Sequence, residues 1–224
     1  MKLSDSQQDR AKNIVKKLRK ATIGMADPAV SQVIATKGKN SFLILVSCIL
    51  SLRTKDTISL PISLKLFQLA KTPQELLAIP RAKLEKLIHS VGFYRQKARQ
   101  LHAISAQLIE RFNGRVPATE QELLSLPGVG RKTANLVLGE AFGVPAICVD
   151  THVHSISNRL GLVKTIKPEQ TELALQKILP KRNWIEFNHL LVMWGQNVCV
   201  PVSPFCSKCA ISDLCPRIGV KKSR

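Results

Sequence analysis

Acidic residues are scarce in this chain: 15 Asp and Glu stand against 34 Lys and Arg, a net charge of +19 at pH 7. Such an imbalance attracts a polyanion, nucleic acid first and an anionic membrane surface second. Long hydrophobic runs are missing too. The longest, Phe42 to Leu52, covers about three helical turns and is broken by Ser47 and Ser51. A membrane span needs roughly 18 such residues, so none is expected. The N-terminal stretch carries Lys2, Arg10, Lys12, Lys16, Lys17, Arg19 and Lys20 but no apolar core followed by a cleavage site. Asp5 and Asp9 argue against a transit peptide, and the expectation is an intracellular protein of the cytoplasm or nucleoid. Nor are the six cysteines, at 48, 148, 199, 206, 209 and 215, spread as a disulfide framework. Four crowd toward the C-terminal end, which in a reducing compartment points to metal.

What is present reads as helix almost throughout. With 224 residues and 45% apolar content, the chain can bury one large core or two small ones. Apolar residues recur at three- and four-residue spacing, as in Leu84, Leu87, Ile88 and in Leu101, Ile104, Leu108, Ile109, while strand-type alternation is scarce. Breaks fall at Asn113-Gly114, Gly161, Pro168, Pro180 and Pro201. One segment echoes another: Thr72-Pro73-Gln74-Glu75-Leu76-Leu77 resembles Thr119-Glu120-Gln121-Glu122-Leu123-Leu124. Each starts as a capping box, Thr at the N-cap and Glu three residues on, and each is closed by a proline, Pro80 or Pro127. Beyond the proline they diverge.

After the second copy comes Gly128-Val129-Gly130, followed by an amphipathic stretch from Lys132 to Ala141. Two glycines so placed let the backbone turn tightly and uncover its N–H groups at the start of the next helix, a seat for phosphate. An ordinary helix–helix turn would look the same. Lys132 falls on the first turn of that helix, where the dipole disfavours a cation. The same dipole, with Arg131 alongside, favours the neutral amine that a Schiff-base nucleophile must be. Asp150 follows the apolar run Val144 to Val149 and opens Thr151-His152-Val153-His154 as a helix N-cap. A carboxylate held anionic by backbone N–H groups is also a stable counter-charge for a cationic transition state. His152 and His154 diverge on a helix and read as packing or phosphate contacts rather than as a metal pair.

The cysteines follow the pattern Cys199-x6-Cys206-x2-Cys209-x5-Cys215. Four thiolates suffice for a cubane cluster or a tetrahedral zinc, and the compact, asymmetric spacing is unlike two separated zinc knuckles. Pro201, Pro204 and Pro216 keep the loop from becoming regular helix. Cys48 and Cys148 lie in apolar runs and read as buried hydrophobes.

Leu126-Pro127-Gly128-Val129-Gly130-Arg131-Lys132-Thr133-Ala134-Asn135 resembles the helix-hairpin-helix of the endonuclease III glycosylases, and Val149-Asp150-Thr151-His152-Val153 is similar to the segment bearing that family's catalytic aspartate. The cysteine spacing is similar to the family's [4Fe-4S] loop. The resemblance covers nearly the whole chain. It implies an all-α fold of two helical domains flanking a DNA-binding cleft: a six-helix barrel with the hairpin at 34–144, and a cluster domain made of 1–33 plus 145–224. It implies further that a monomer acts on double-stranded DNA containing a damaged base or abasic site. Lys132 would displace the base of a flipped nucleotide at C1′ and Asp150 would stabilise the developing positive charge. The Schiff base would then undergo β-elimination.

By the same resemblance Gly128, Val129, Gly130, Arg131 and His152 contact DNA, with Lys208 and Arg217 near phosphate. Ser51-Leu52-Arg53-Thr54-Lys55-Asp56 looks like the loop that plugs the gap in the stack. Val91-Gly92-Phe93-Tyr94 resembles a second wedge with Phe93 inserting, although Phe93 also reads as plain core. The sequence departs from the family at Arg53, usually glutamine, and at Ser155, commonly basic. An oxidised pyrimidine is the expected lesion, and Arg53 leaves room for uracil or a mispaired thymine. The alternatives are a monofunctional uracil or mismatch glycosylase and a non-catalytic DNA-binding or redox module. Adenine glycosylases of the superfamily usually carry serine where Lys132 stands, so Lys132 favours the lyase.

Overall fold

The computed structural model describes residues 5–224, so Lys2 lies outside the described residues. Helices and short 3-10 turns form the regular structure, with no strand among the described residues. The all-α expectation holds. None of these helices is long and apolar enough to cross a membrane. The chain divides into two compact units, one of residues 28–144 and one combining the chain up to Asp27 with Pro145–Arg224.

The first helix, α1 (Asp5–Ala21), belongs to the second of these units. The unit 28–144 holds α2 (Ala29–Lys37), α3 (Ser41–Ser51), α4 (Asp56–Leu69), α5 (Pro73–Ala78), α6 (Arg81–Leu87), α7 (Tyr94–Phe112), α8 (Glu120–Leu124) and α9 (Arg131–Phe142). Helix α3 is its axis. Phe42 to Leu50 are all buried, because α2, α4, α7 and α9 pack around it. A helix apolar on every face has to be central to a fold of this kind. The Asn40 side chain fixes its start by accepting from the Phe42 and Leu43 N–H groups at 2.9 and 3.1 Å.

The two echoing segments become α5 and α8. Thr72 and Glu75 form the full reciprocal box. In the second copy Thr119 accepts from the Glu122 N–H at 3.3 Å, but the Glu122 carboxylate takes the Thr119 hydroxyl instead of its backbone N–H. Helix α7 turns Ala98, Leu101, Ile104 and Leu108 into the core and stops at Asn113, left-handed at φ 52°, as Asn-Gly suggests.

The second unit assembles α1 with α10 (Thr151–Arg159), α11 (Pro168–Ile178) and α12 (Trp184–Asn197). Ile14, Leu18, Val153, Ile156, Phe187, Leu191 and Trp194 form its core, and Cys199, Cys209 and Cys215 pack against that core. Arg10 on α1 donates to the carbonyls of Leu160, Gly161 and Leu214, tying helix, turn and cysteine loop together.

Candidate functional site

Residues 125–130 turn the chain from α8 into α9. Gly128 stands at φ +68°, a left-handed conformation that a side chain would strain, and a Cβ there would lie 2.7 Å from Gln100 Nε2. That Gln100 amide donates to the Pro127 carbonyl at 3.1 Å and braces the turn. Gly130 is different: a Cβ would meet nothing within 4 Å. It is the N-cap of α9 and has no side chain with which to cap the first turn.

Val129, a candidate DNA contact through the backbone of this turn, keeps its side chain inside. Its N–H donates to the Leu126 carbonyl at 3.1 Å, so it anchors the turn from inside. Arg131 is exposed and paired with Glu120 at 2.7 Å, which offsets its charge beside Lys132. Lys132 is exposed on the first turn of α9.

Asp150 lies in the other unit, at the N-cap of α10, where Oδ1 accepts the Val153 N–H at 2.8 Å. The segment before it is buried through Ile147, Cys148 and Val149, and Asn188 holds the Cys148 carbonyl at 2.6 Å. The half-buried carboxylate is therefore fixed at both ends of its local chain. The His152 ring lies against Gly195, so closely that a Cβ there would stand 2.2 Å from Nδ1. Ser155 bonds back to the Thr151 carbonyl at 2.6 Å. His154 Nδ1 meets the Thr171 hydroxyl at 2.7 Å and so ties α10 to α11.

The two segments expected to plug and wedge the base stack come together within the unit 28–144. The Arg53 guanidinium sits 4.9 Å from the centre of the Phe93 ring. Phe93 is 56% exposed, so the core reading of it is overturned: the turn ahead of α7 holds it left-handed, φ 59°, and aims it outward. Arg53 is left-handed as well, φ 53°. Non-glycine residues adopt this conformation only where their surroundings hold them in it.

The four cysteines line one cavity of about 340 Å³, counting space open to solvent, together with Arg159 and Phe205. Among the described residues no three His, Cys, Asp or Glu side chains converge on a point at which one metal ion would sit. Arg159 spans the loop, donating to Cys199 Sγ at 3.3 Å and to the carbonyls of Val200 and Pro201 at 3.0 and 2.7 Å. Burial pushes the Cys199 thiol up, the other thiols add to that, and Arg159 pulls it back. Burial pushes Cys209 up in the same way, against hydrogen bonds from Ile211 and Trp194. Both thiols thus lie where a bare thiolate is disfavoured.

Residues 46–181 match the family model described as HhH-GPD superfamily base excision DNA repair protein. The chain belongs to this superfamily. Within the HhH-GPD proteins it is similar to endonuclease III of Thermotoga maritima, 49% identical over 80% of this chain and 84% of that one. A non-covalent endonuclease III–DNA complex superposes with a TM-score of 0.84 at 36% identity, covering 94% of this chain and 95% of the other. A thermostable thymine-DNA glycosylase superposes at 0.81 with 28% identity, covering 95% and 98%. The chain is a base excision repair enzyme of the endonuclease III type, a DNA glycosylase with abasic-site lyase activity.

Two residues of this HhH-GPD chain escaped the motif reading. Arg159 is one. The other is Lys97, buried at 5% exposure, whose amine donates to the carbonyls of Leu50 and Leu52 at 2.9 and 2.5 Å and to Thr54 Oγ1 at 3.2 Å. Burial pushes that amine down to about 8. Its place four residues before Leu101, on the apolar stripe of α7, was the available signal.

Proposed function

We propose that Lys132 is the nucleophile of this glycosylase and lyase and that Asp150 supplies the counter-charge, on duplex DNA carrying a damaged base. The observation that carries the reading is the exposed Lys132 amine on the first turn of an uncapped helix, next to the bare backbone of Gly130. A phosphate drawn to those N–H groups brings the sugar chain to the amine. The amine nitrogen attacks C1′ of a flipped nucleotide and the base departs with the bonding electrons. The nitrogen then gives up its extra proton and its lone pair opens the C1′–O4′ bond, O4′ leaving as a protonated hydroxyl; the resulting iminium acidifies the C2′–H, and loss of that proton expels the 3′ phosphate. Borohydride tests this step by reducing the iminium to a stable amine. We expect covalent protein–DNA adducts from duplexes with an abasic site or thymine glycol.

A second reading rests on Arg53. An arginine at the plug presents only donors, and the thymine-DNA glycosylase is a structural neighbour. If free base is released from a uracil or G·T duplex without any adduct, the enzyme is monofunctional and Lys132 is a phosphate contact.

The hairpin glycines separate fold from DNA contact. Gly128→Ala should destabilise the protein by about 1–2 kcal/mol, since alanine is forced left-handed. Gly130→Ala should cost less than about 1 kcal/mol, as expected for an N-cap change. Its effect should appear in DNA affinity, because a methyl group now stands on the approach to phosphate. Thermal melts and binding isotherms distinguish the two.

We propose that the unit 28–144 is the barrel domain with the hairpin, and the other unit the cluster domain. The cysteine loop suits a [4Fe-4S] cluster: four thiols ring a space rather than a point, and burial disfavours the bare thiolates of Cys199 and Cys209. Bound there, the cluster would supply structure and take no part in base excision. Cys206→Ala should abolish the brown colour and the broad visible absorption of the isolated protein and lower its melting temperature by several degrees. A colourless protein holding one zinc would exclude the cluster.

A further inference from the structure

Lys97 is a buried cation with no carboxylate within ion-pair distance among the described residues. All of its hydrogen-bonding capacity is directed at one place. Leu50 and Leu52 offer the last carbonyls of α3, the end where the helix dipole favours a positive charge. Thr54 offers its hydroxyl. Leu52 and Thr54 flank Arg53, so the amine grips the plug loop on both sides of its outermost residue.

Thr54 carries the grip onward. Its Oγ1 accepts the Gly92 N–H at 3.2 Å, next to Phe93. Gly92 itself lies so close to the plug that a Cβ would stand 2.8 Å from the Arg53 carbonyl oxygen. Two left-handed residues, Arg53 and Phe93, then stack on one another at the exposed end of this joint. Neither conformation is favoured by its own side chain, so what holds them is the joint beneath.

We propose that Lys97 is a positioning residue that locks the plug and wedge loops into one preset element, ready to enter the base stack. This rests on the reading of Arg53 and Phe93 as the residues that enter it. A preset element spares the ordering of two loops while a base pair is being opened, and misplacement by about 1 Å is enough to cost on the order of 100-fold in rate.

The test uses the full-length protein and the ratio of two rates: base excision from a lesion-bearing duplex, and strand cleavage at an abasic site in single-stranded DNA. Only the first requires opening a stack. In Lys97→Met, which keeps the stem and removes the donors, the ratio should fall by about 10- to 100-fold. The fluorescence rise of 2-aminopurine beside the lesion should be lost with it. Thr54→Val should shift both in the same direction, and it carries the test should Lys97→Met melt too low to assay. An unchanged ratio in either folded variant, or an equal fall in both rates, overturns the proposal. Phe93→Ala, run in parallel, separates the two levels. If it keeps the ratio, the wedge reading fails; if it loses the ratio while Lys97→Met keeps it, only the role of Lys97 fails.

Discussion

Lys132→Gln should remove strand cleavage and the borohydride adduct together, by roughly 1000-fold or more, as expected for loss of a nucleophile. The fold should not notice. Lys132 is exposed, and glutamine has nearly the helix propensity of lysine, so the melting temperature should stay within a degree or two. An amide cannot form an iminium, whatever its position. DNA binding should weaken only by the share of one phosphate contact, visible as a slightly shallower salt dependence. These effects are separable because the hairpin's own architecture does not use Lys132: the turn is held by Val129, Gln100 and the conformation of Gly128. Retained base release without cleavage would assign the first chemical step to an activated water. Retained cleavage would place the nucleophile on another amine.

The helices were legible because their signals are local. Capping boxes, prolines and the three-to-four spacing of apolar residues act over one or two turns, and α5, α7 and α8 begin or end where those signals stand. The hairpin and the cysteine loop were legible because the chemistry of each is carried by a short contiguous segment. Long-range features were not. The burial of the Val129 side chain and its N–H bond to Leu126 are properties of the packed turn, which the Gly-Val-Gly motif does not spell out. Phe93 was ambiguous between wedge and core, since an aromatic residue in a short loop has no periodicity to orient it; the left-handed turn before α7 leaves it exposed and so excludes plain core. Lys97 interrupts an apolar stripe, which says that something polar awaits it, but not that its acceptors lie 43 to 47 residues back along the chain.

Asp150→Asn should leave the protein folded and slow base release by about 100- to 1000-fold, the scale on which loss of one charged stabiliser of a transition state is felt. Asparagine and aspartate are nearly equivalent N-caps, because either side-chain oxygen accepts from the helix N–H. The bond from the Val153 N–H should therefore survive, and stability should change by less than about 0.5 kcal/mol. What the substitution removes is charge alone. Positive charge grows on the sugar as the base leaves, whereas a preformed abasic site has already passed that stage. Cleavage at such a site should therefore suffer less than excision of an intact base. Asp150→Ala supplies the contrast: it loses the cap as well, about 1 kcal/mol, and its melting temperature should drop. If the asparagine variant excises at the normal rate, Asp150 is a cap and the cationic transition state is stabilised by another group.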